Sequence, residues 1–172
     1  MADTLTVDLK ASLAWLLEES LPLSTVADHS MLEYEQSISD GTGEDEADVL
    51  WHDERTVSAS AHDDLDLTDL TMTLFGGSVD IEFAKVKAIL VVNTSTTTDD
   101  VLRVGGAGAT AFSAPFANDD DAVVEVGPDS PLLLVNKKDG WEVTPSTAHV
   151  LRISNPSANA ITYRIAIVGT SA

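Results

Sequence analysis

The sequence predicts an all-β protein, an antiparallel β-sandwich of jelly-roll type with an extended N-terminal strand or arm. Three observations carry that expectation. Apolar residues recur at period two in segment after segment. Turn clusters such as Gly76-Gly77, Gly127-Pro128-Asp129 and Lys137-Lys138-Asp139-Gly140 separate about ten short runs at regular spacing. The stretch Phe83 to Asn93, FAKVKAILVVN, begins half-wet and becomes apolar on both faces from Ile89 to Val92, as a strand entering a sandwich interior does.

Taken in order, Leu5, Val7, Leu9, Ala11, Leu13, Trp15 and Leu17 are all apolar at period two, against Thr6, Asp8, Lys10 and Ser12. Apolar residues at 5, 9, 13, 16 and 17 also fit one face of a helix. The unbroken alternation favours a long strand. Pro22 ends it, residues 24–30 read as loop, and residues 31–39 as a second, weaker strand. The expected organisation is therefore an arm over residues 1–30 and a sandwich over residues 31–172. Residues 40–48 form a turn and an acidic stretch, followed by strands at 49–51, 55–61 and 65–67. Residues 70–75 lead through Gly76-Gly77 into a strand with Val79, Ile81 and Phe83 on one face, a hairpin signal. In the central stretch Lys85 and Lys87 are expected on a wetted face opposite Ala84, Val86 and Ala88. Further strands fall at 101–104, 123–126, 132–136, 141–143, 150–154 and 161–168.

The formal net charge of −20, from 29 acidic and 9 basic residues, repels phosphate backbones and anionic headgroups. Nucleic acid and membrane are therefore not expected partners. The charge suits solubility in a salty medium or a surface facing cations. The start MADTLTVDLK lacks the basic-then-apolar layout of a signal peptide. Cysteine is absent, which excludes disulfides, thiolate nucleophiles and cysteine-ligated zinc.

Candidate chemistry is sparse, and no catalytic, metal or cofactor site is expected. Gly106-Ala107-Gly108-Ala109-Thr110-Ala111 spells a dinucleotide fingerprint, but the following Phe-Ser-Ala-Pro cannot open the helix that binds a pyrophosphate. Asp119, Asp120 and Asp121 read as a solvated loop, since three consecutive carboxylates cannot converge on calcium. His29, His52, His62 and His149 form no metal motif, and Ser58 and Ser60 lack a nucleophile elbow. Trp51 and Trp141 read as core. Leu5, Val7, Leu9, Leu13, Trp15 and Leu17 are the candidate interface, with Trp15 as its anchor.

The turn Asp40-Gly41-Thr42-Gly43, followed by Trp51, Asp53, Arg55 and Thr56 in a W-x-D-x-R-T pattern and by residues 83–93 and 132–143, resembles a group of small proteins encoded in tailed-phage and prophage structural gene clusters. Glu44, Asp45 and Glu46 make this turn more acidic than the resemblance leads one to expect. The resemblance implies a virion component made in the host cytoplasm. It implies no particular station in the particle; a rigid sandwich with an edge or arm to bury and a charged exterior suits capsid decoration on the head exterior, with the major capsid protein or other virion proteins, and further copies of itself in a homo-oligomer such as a trimer, as expected partners. The alternatives are a neck, tail or fibre component, and a carbohydrate-binding module. Uncompensated negative charge opposes compaction when unscreened, so the unfolding temperature should rise between low salt and about 1 M salt, where the Debye length falls to ~3 Å. A melting series in sodium chloride checks this, and a flat response refutes it.

Overall fold

The computed structural model describes residues 4–74 and 76–171. The first three residues of the expected arm, Phe75 and the terminal Ala172 lie outside them. The described residues form thirteen strands: β1 (Val7–Leu21), β2 (Ser24–Ile38), β3 (Val49–Val57), β4 (Ala61–Asp66), β5 (Leu70–Leu74), β6 (Gly77–Ile81), β7 (Lys85–Asn93), β8 (Leu102–Gly105), β9 (Val123–Val126), β10 (Ser130–Val135), β11 (Trp141–Glu142), β12 (Val150–Asn155) and β13 (Ile161–Thr170).

Eight of these make two four-stranded antiparallel layers, β10-β7-β13-β3 and β4-β12-β8-β9. In chain order the eight strands fill positions 6-3-8-1 in one sheet and 2-7-4-5 in the other, which is jelly-roll topology. Hairpin β5–β6 is inserted after β4, β11 adds a short pairing to β7, and β1–β2 form a separate ribbon. The layers meet through alternating side chains: Trp51 and Val57 of β3, Ile89 and Val91 of β7, and Ile161, Tyr163, Ile165 and Ile167 of β13 face Leu65, Leu102, Val104, Leu151 and Ile153 opposite. Trp51 is buried and donates its indole N–H to the Thr71 carbonyl at 3.0 Å. Trp141 is half-buried against the same core.

Three expectations need correction. Residues 24–30 are not loop: they are the first half of β2, paired residue for residue with β1 from Leu21↔Ser24 to Val7↔Ile38. The projecting unit is thus a hairpin ending at Ile38 and not an arm ending at residue 30. Residues 49–57 form one strand, and residues 58–60 are the turn into β4. Lys87 is not wetted, being only 2% exposed. The β7–β13 register shifts between Val168↔Ala88 and Gly169↔Val86, so Lys87 is the extra residue of a bulge. The bulge lets Val86 and Ile89 both enter the core while Ala88 faces the other way. Opposite it only glycine fits, since a Cβ on Gly169 would lie 2.0 Å from the Lys85 carbonyl oxygen.

One polar contact ties the edge strand of the first sheet to the edge strand of the second. Arg55 on β3 donates to both oxygens of Asp63 on β4, at 2.6 and 3.0 Å, and the Tyr163 hydroxyl donates to the same carboxylate at 2.7 Å. Burial pushes Asp63 upward, but hydrogen bonds from Arg55 and Tyr163 outweigh it and hold the carboxyl below its ordinary value. The Asp63 hydrogen bond raises Arg55 against the effect of burial. A carboxylate with a depressed folded pKa contributes stability that is present above its unfolded value and lost as pH falls through the folded one. Asp63→Asn should therefore cost about 1–2 kcal/mol at neutral pH, a figure discounted because Arg55 stays partly solvated. The gap between the variant and the native chain should shrink below pH 3.8. Urea unfolding across pH 2–7 measures it, and a gap that does not change with pH would contradict the assignment.

Candidate interaction surface

The ribbon alternates so that odd positions of β1 share a face with even positions of β2. That face carries Val7, Leu9, Ala11, Leu13, Trp15, Leu17 and Leu21 with Val26, Leu32, Tyr34 and Ile38. The opposite face is mostly polar, and there Lys10 Nζ meets Glu35 Oε1 at 2.6 Å. The tip is the two-residue turn Pro22-Leu23.

The base of the apolar face is already occupied. Leu9 and Ile38 are buried with Ala47, Ala88 and Val168, and Leu5, Val7, Leu50 and Val135 pack around them. The ribbon is thereby seated on the outer face of the β10-β7-β13-β3 sheet. The Leu5 N–H also donates to Asp40 Oδ1 at 3.0 Å. Beyond this seat every residue from Lys10 to Ser37 is exposed. The six candidate interface residues thus divide: Leu5, Val7 and Leu9 pack against their own sheet, while Leu13 (66% exposed), Trp15 (41%) and Leu17 (69%) stand free on the overhang. Trp15 Nε1 donates to Asp28 Oδ2 at 3.2 Å, which fixes the indole across the ribbon.

The sequence reading missed the β2 half of this surface, Val26, Leu32 and Tyr34. Polar neighbours hid it, although their common parity was a usable signal. It also missed the outer sheet face, where Leu50, Leu90, Leu133 and Ala166 line an apolar groove of about 510 Å³ beside the ribbon base. Leu90 is 38% exposed there.

The acidic turn after the ribbon is held by cations. Lys87 Nζ donates to the Lys138 carbonyl at 2.7 Å and to the Gly43 carbonyl at 3.3 Å. Lys137 meets Asp45 at 3.4 Å and Lys138 meets Glu44 at 3.7 Å. Glu46 folds back to accept the Gly43 N–H at 2.9 Å, and a Cβ on Gly41 would lie 2.3 Å from its carboxylate. Burial, and next the Lys85 ammonium, lower the Lys87 pKa against the pull of Asp139, Asp45 and Glu44.

Other motifs resolve into structure. The glycine-rich segment leads into two three-residue 3-10 turns, Gly108–Thr110 and Ala114–Phe116, which cannot cradle a pyrophosphate as a helix N-terminus would. Asp121 donates its backbone N–H to the Asp119 carboxylate within its own loop. His62 lies 3.7 Å from Asp64, whose carboxylate is gripped by Arg152, and His149 lies 3.8 Å from Asp66. Among the described residues, no group of three or more His, Asp or Glu is placed to hold a metal ion.

The surface defines a class: a jelly-roll domain bearing a seated, overhanging amphipathic ribbon. Compared with protein-family models, with curated proteins and with solved structures, the chain finds no match in any of the three. Lys87→Met fills the same space without a donor, so the Gly43 and Lys138 carbonyls lose theirs. It should lower stability by about 1–2 kcal/mol in urea. It should also speed glutamyl-endopeptidase cleavage at Glu44 and Glu46, whereas native cleavage rates would show that Lys87 does not hold the turn.

Proposed function

We propose that the protein is a structural component of a tailed-phage particle, a head-associated decoration protein that works by protein–protein contact. The single observation that carries this reading is the overhanging ribbon, whose apolar face is presented to solvent by a rigid sandwich. An isolated two-stranded hairpin is only marginally stable in water. A long one with a bare apolar face gains its order by burying that face against another chain. The resemblance of the Asp40–Thr56 region to phage structural proteins supplies the setting, and the acidic surface keeps such a component soluble until it docks.

The test uses virions released from cells that carry the gene. Antibody-gold labelling in negative stain should decorate heads. Replacing residues 11–34 by Asn-Gly, so that Lys10 and Glu35 flank a tight turn, should remove the label while leaving a soluble chain with an unchanged thermal transition. Label confined to necks or tails would replace head attachment by the alternative station. Full head label without the ribbon would refute its role.

A further inference from the structure

We propose that the overhang of the ribbon seats on the outer β10-β7-β13-β3 face of a second copy of this chain, so that copies strap one another. This deepens the contact reading given above, but it concerns isolated protein and is tested without particles.

Four observations converge on a second copy. The first is complementarity already realised within one chain. The same ribbon face that is bare at Leu13, Trp15 and Leu17 is, four residues nearer the base, packed against this very sheet face through Leu9, Val7 and Ile38. The second is a vacant seat of matching character. The sheet face continues past the ribbon base as the groove lined by Leu50, Leu90, Leu133 and Ala166. Leu90 would stand against water in an isolated protomer.

The third is size. Leu13, Trp15, Leu17, Leu21, Val26, Leu32 and Tyr34 together leave on the order of 700 Å² to solvent, beyond the largest patch of most monomers and close to the ~800 Å² each partner gives a stable interface. Residues 10–21 reach about 40 Å in extended geometry, and a domain of this size is roughly 35 Å across, so an overhang can cross a neighbour. The fourth is electrostatic. Two chains of charge −20 repel strongly except where they present no charge. The ribbon face carries only Glu19 and Asp28 beyond its base, both toward the tip, and Asp28 is engaged by Trp15. The groove offers aliphatic side chains from the sheet, and the charges at its borders, Asp8 with Lys10 on the ribbon base and the Glu54–Arg164 pair on the sheet, balance in sign. These two charge-poor surfaces are where copies meet at least cost. With different donor and acceptor surfaces, two copies exchange ribbons reciprocally about a two-fold axis or pass the contact head to tail around a closed ring.

The native chain has no cysteine, so an introduced pair reports contact cleanly. A Leu13→Cys chain and a differently tagged Leu90→Cys chain, mixed and mildly oxidised, should give a covalent heterodimer. Light scattering should find the unmodified chain at an integer multiple of its own mass. Leu13→Thr with Leu32→Thr, a pair that keeps the ribbon register, and separately Leu90→Thr, should each give the monomer with an unchanged far-UV spectrum. All three side chains reach solvent, and the far-UV spectrum checks that each variant keeps the fold. A monomeric native chain at tens of micromolar in high salt overturns the proposal. So do covalent Leu13→Cys homodimers in place of the mixed species, which would mean that ribbons pack on ribbons. Loss of head labelling with the oligomer intact would sink the virion reading and leave this one standing.

Discussion

The structure depends on β7 being apolar on both of its faces. One face, with Ile89 and Val91, completes the interior of the sandwich. The other, with Ala88 and Leu90, would be an oily stripe on the outside of a sheet whose neighbours Leu50, Leu133, Ala166 and Val168 extend it. Burying apolar surface is the main driving term in folding, at roughly 25 cal/mol per Å². A chain with this much negative charge needs that term undiluted. The ribbon base answers part of the demand: Leu9 and Ile38 settle over Ala88 and Val168 and turn the outer stripe into a second, smaller core.

That arrangement makes the bulge at Lys87 more than an irregularity. Without an extra residue, Val86 and Ala88 would share a face, and either the core or the ribbon seat would lose a side chain. The extra residue carries its ammonium to the carbonyls of Gly43 and Lys138. The turn following the ribbon is therefore fastened by the same residue that sets the parity of the central strand. Local geometry, core packing and the mounting of the ribbon are one linked device.

Much of the fold could be read from the residues, because its signal is local. Alternation in β13 and the double-sided apolar run in β7 both report burial directly, and turn clusters placed most boundaries. What could not be read depends on pairing. Residues 24–30 are polar enough to pass for loop, and only their register against Leu21 to Trp15 makes them strand. A bulge is a count of two residues against one across a ladder, so Lys87 alone looks like any solvent-facing lysine. In the sequence Arg55 stood out only as a member of the W-x-D-x-R-T pattern. Its work, joining the rims of two sheets through Asp63, needs β4 beside it. The candidate surface was half legible for the same reason: Leu13, Trp15 and Leu17 declare themselves, while Leu90 and Leu133 look like ordinary core until the sheet is assembled.

The ribbon also has two free edges, since β1 and β2 each pair on one side only. Two such flat rims, fifteen residues long, are templates on which strands from other molecules could stack without limit, as in a cross-β fibre. The polar side of the ribbon holds Glu18, Glu33 and Glu35, with Asp8 near its root. Copies stacked edge to edge would gather Asp8, Glu18, Glu33 and Glu35 of every ribbon on one shared face, with Lys10 as its only lysine or arginine. The acidity that composition shows only as a total thus falls, at this one place, where accumulating like charge opposes fibre growth.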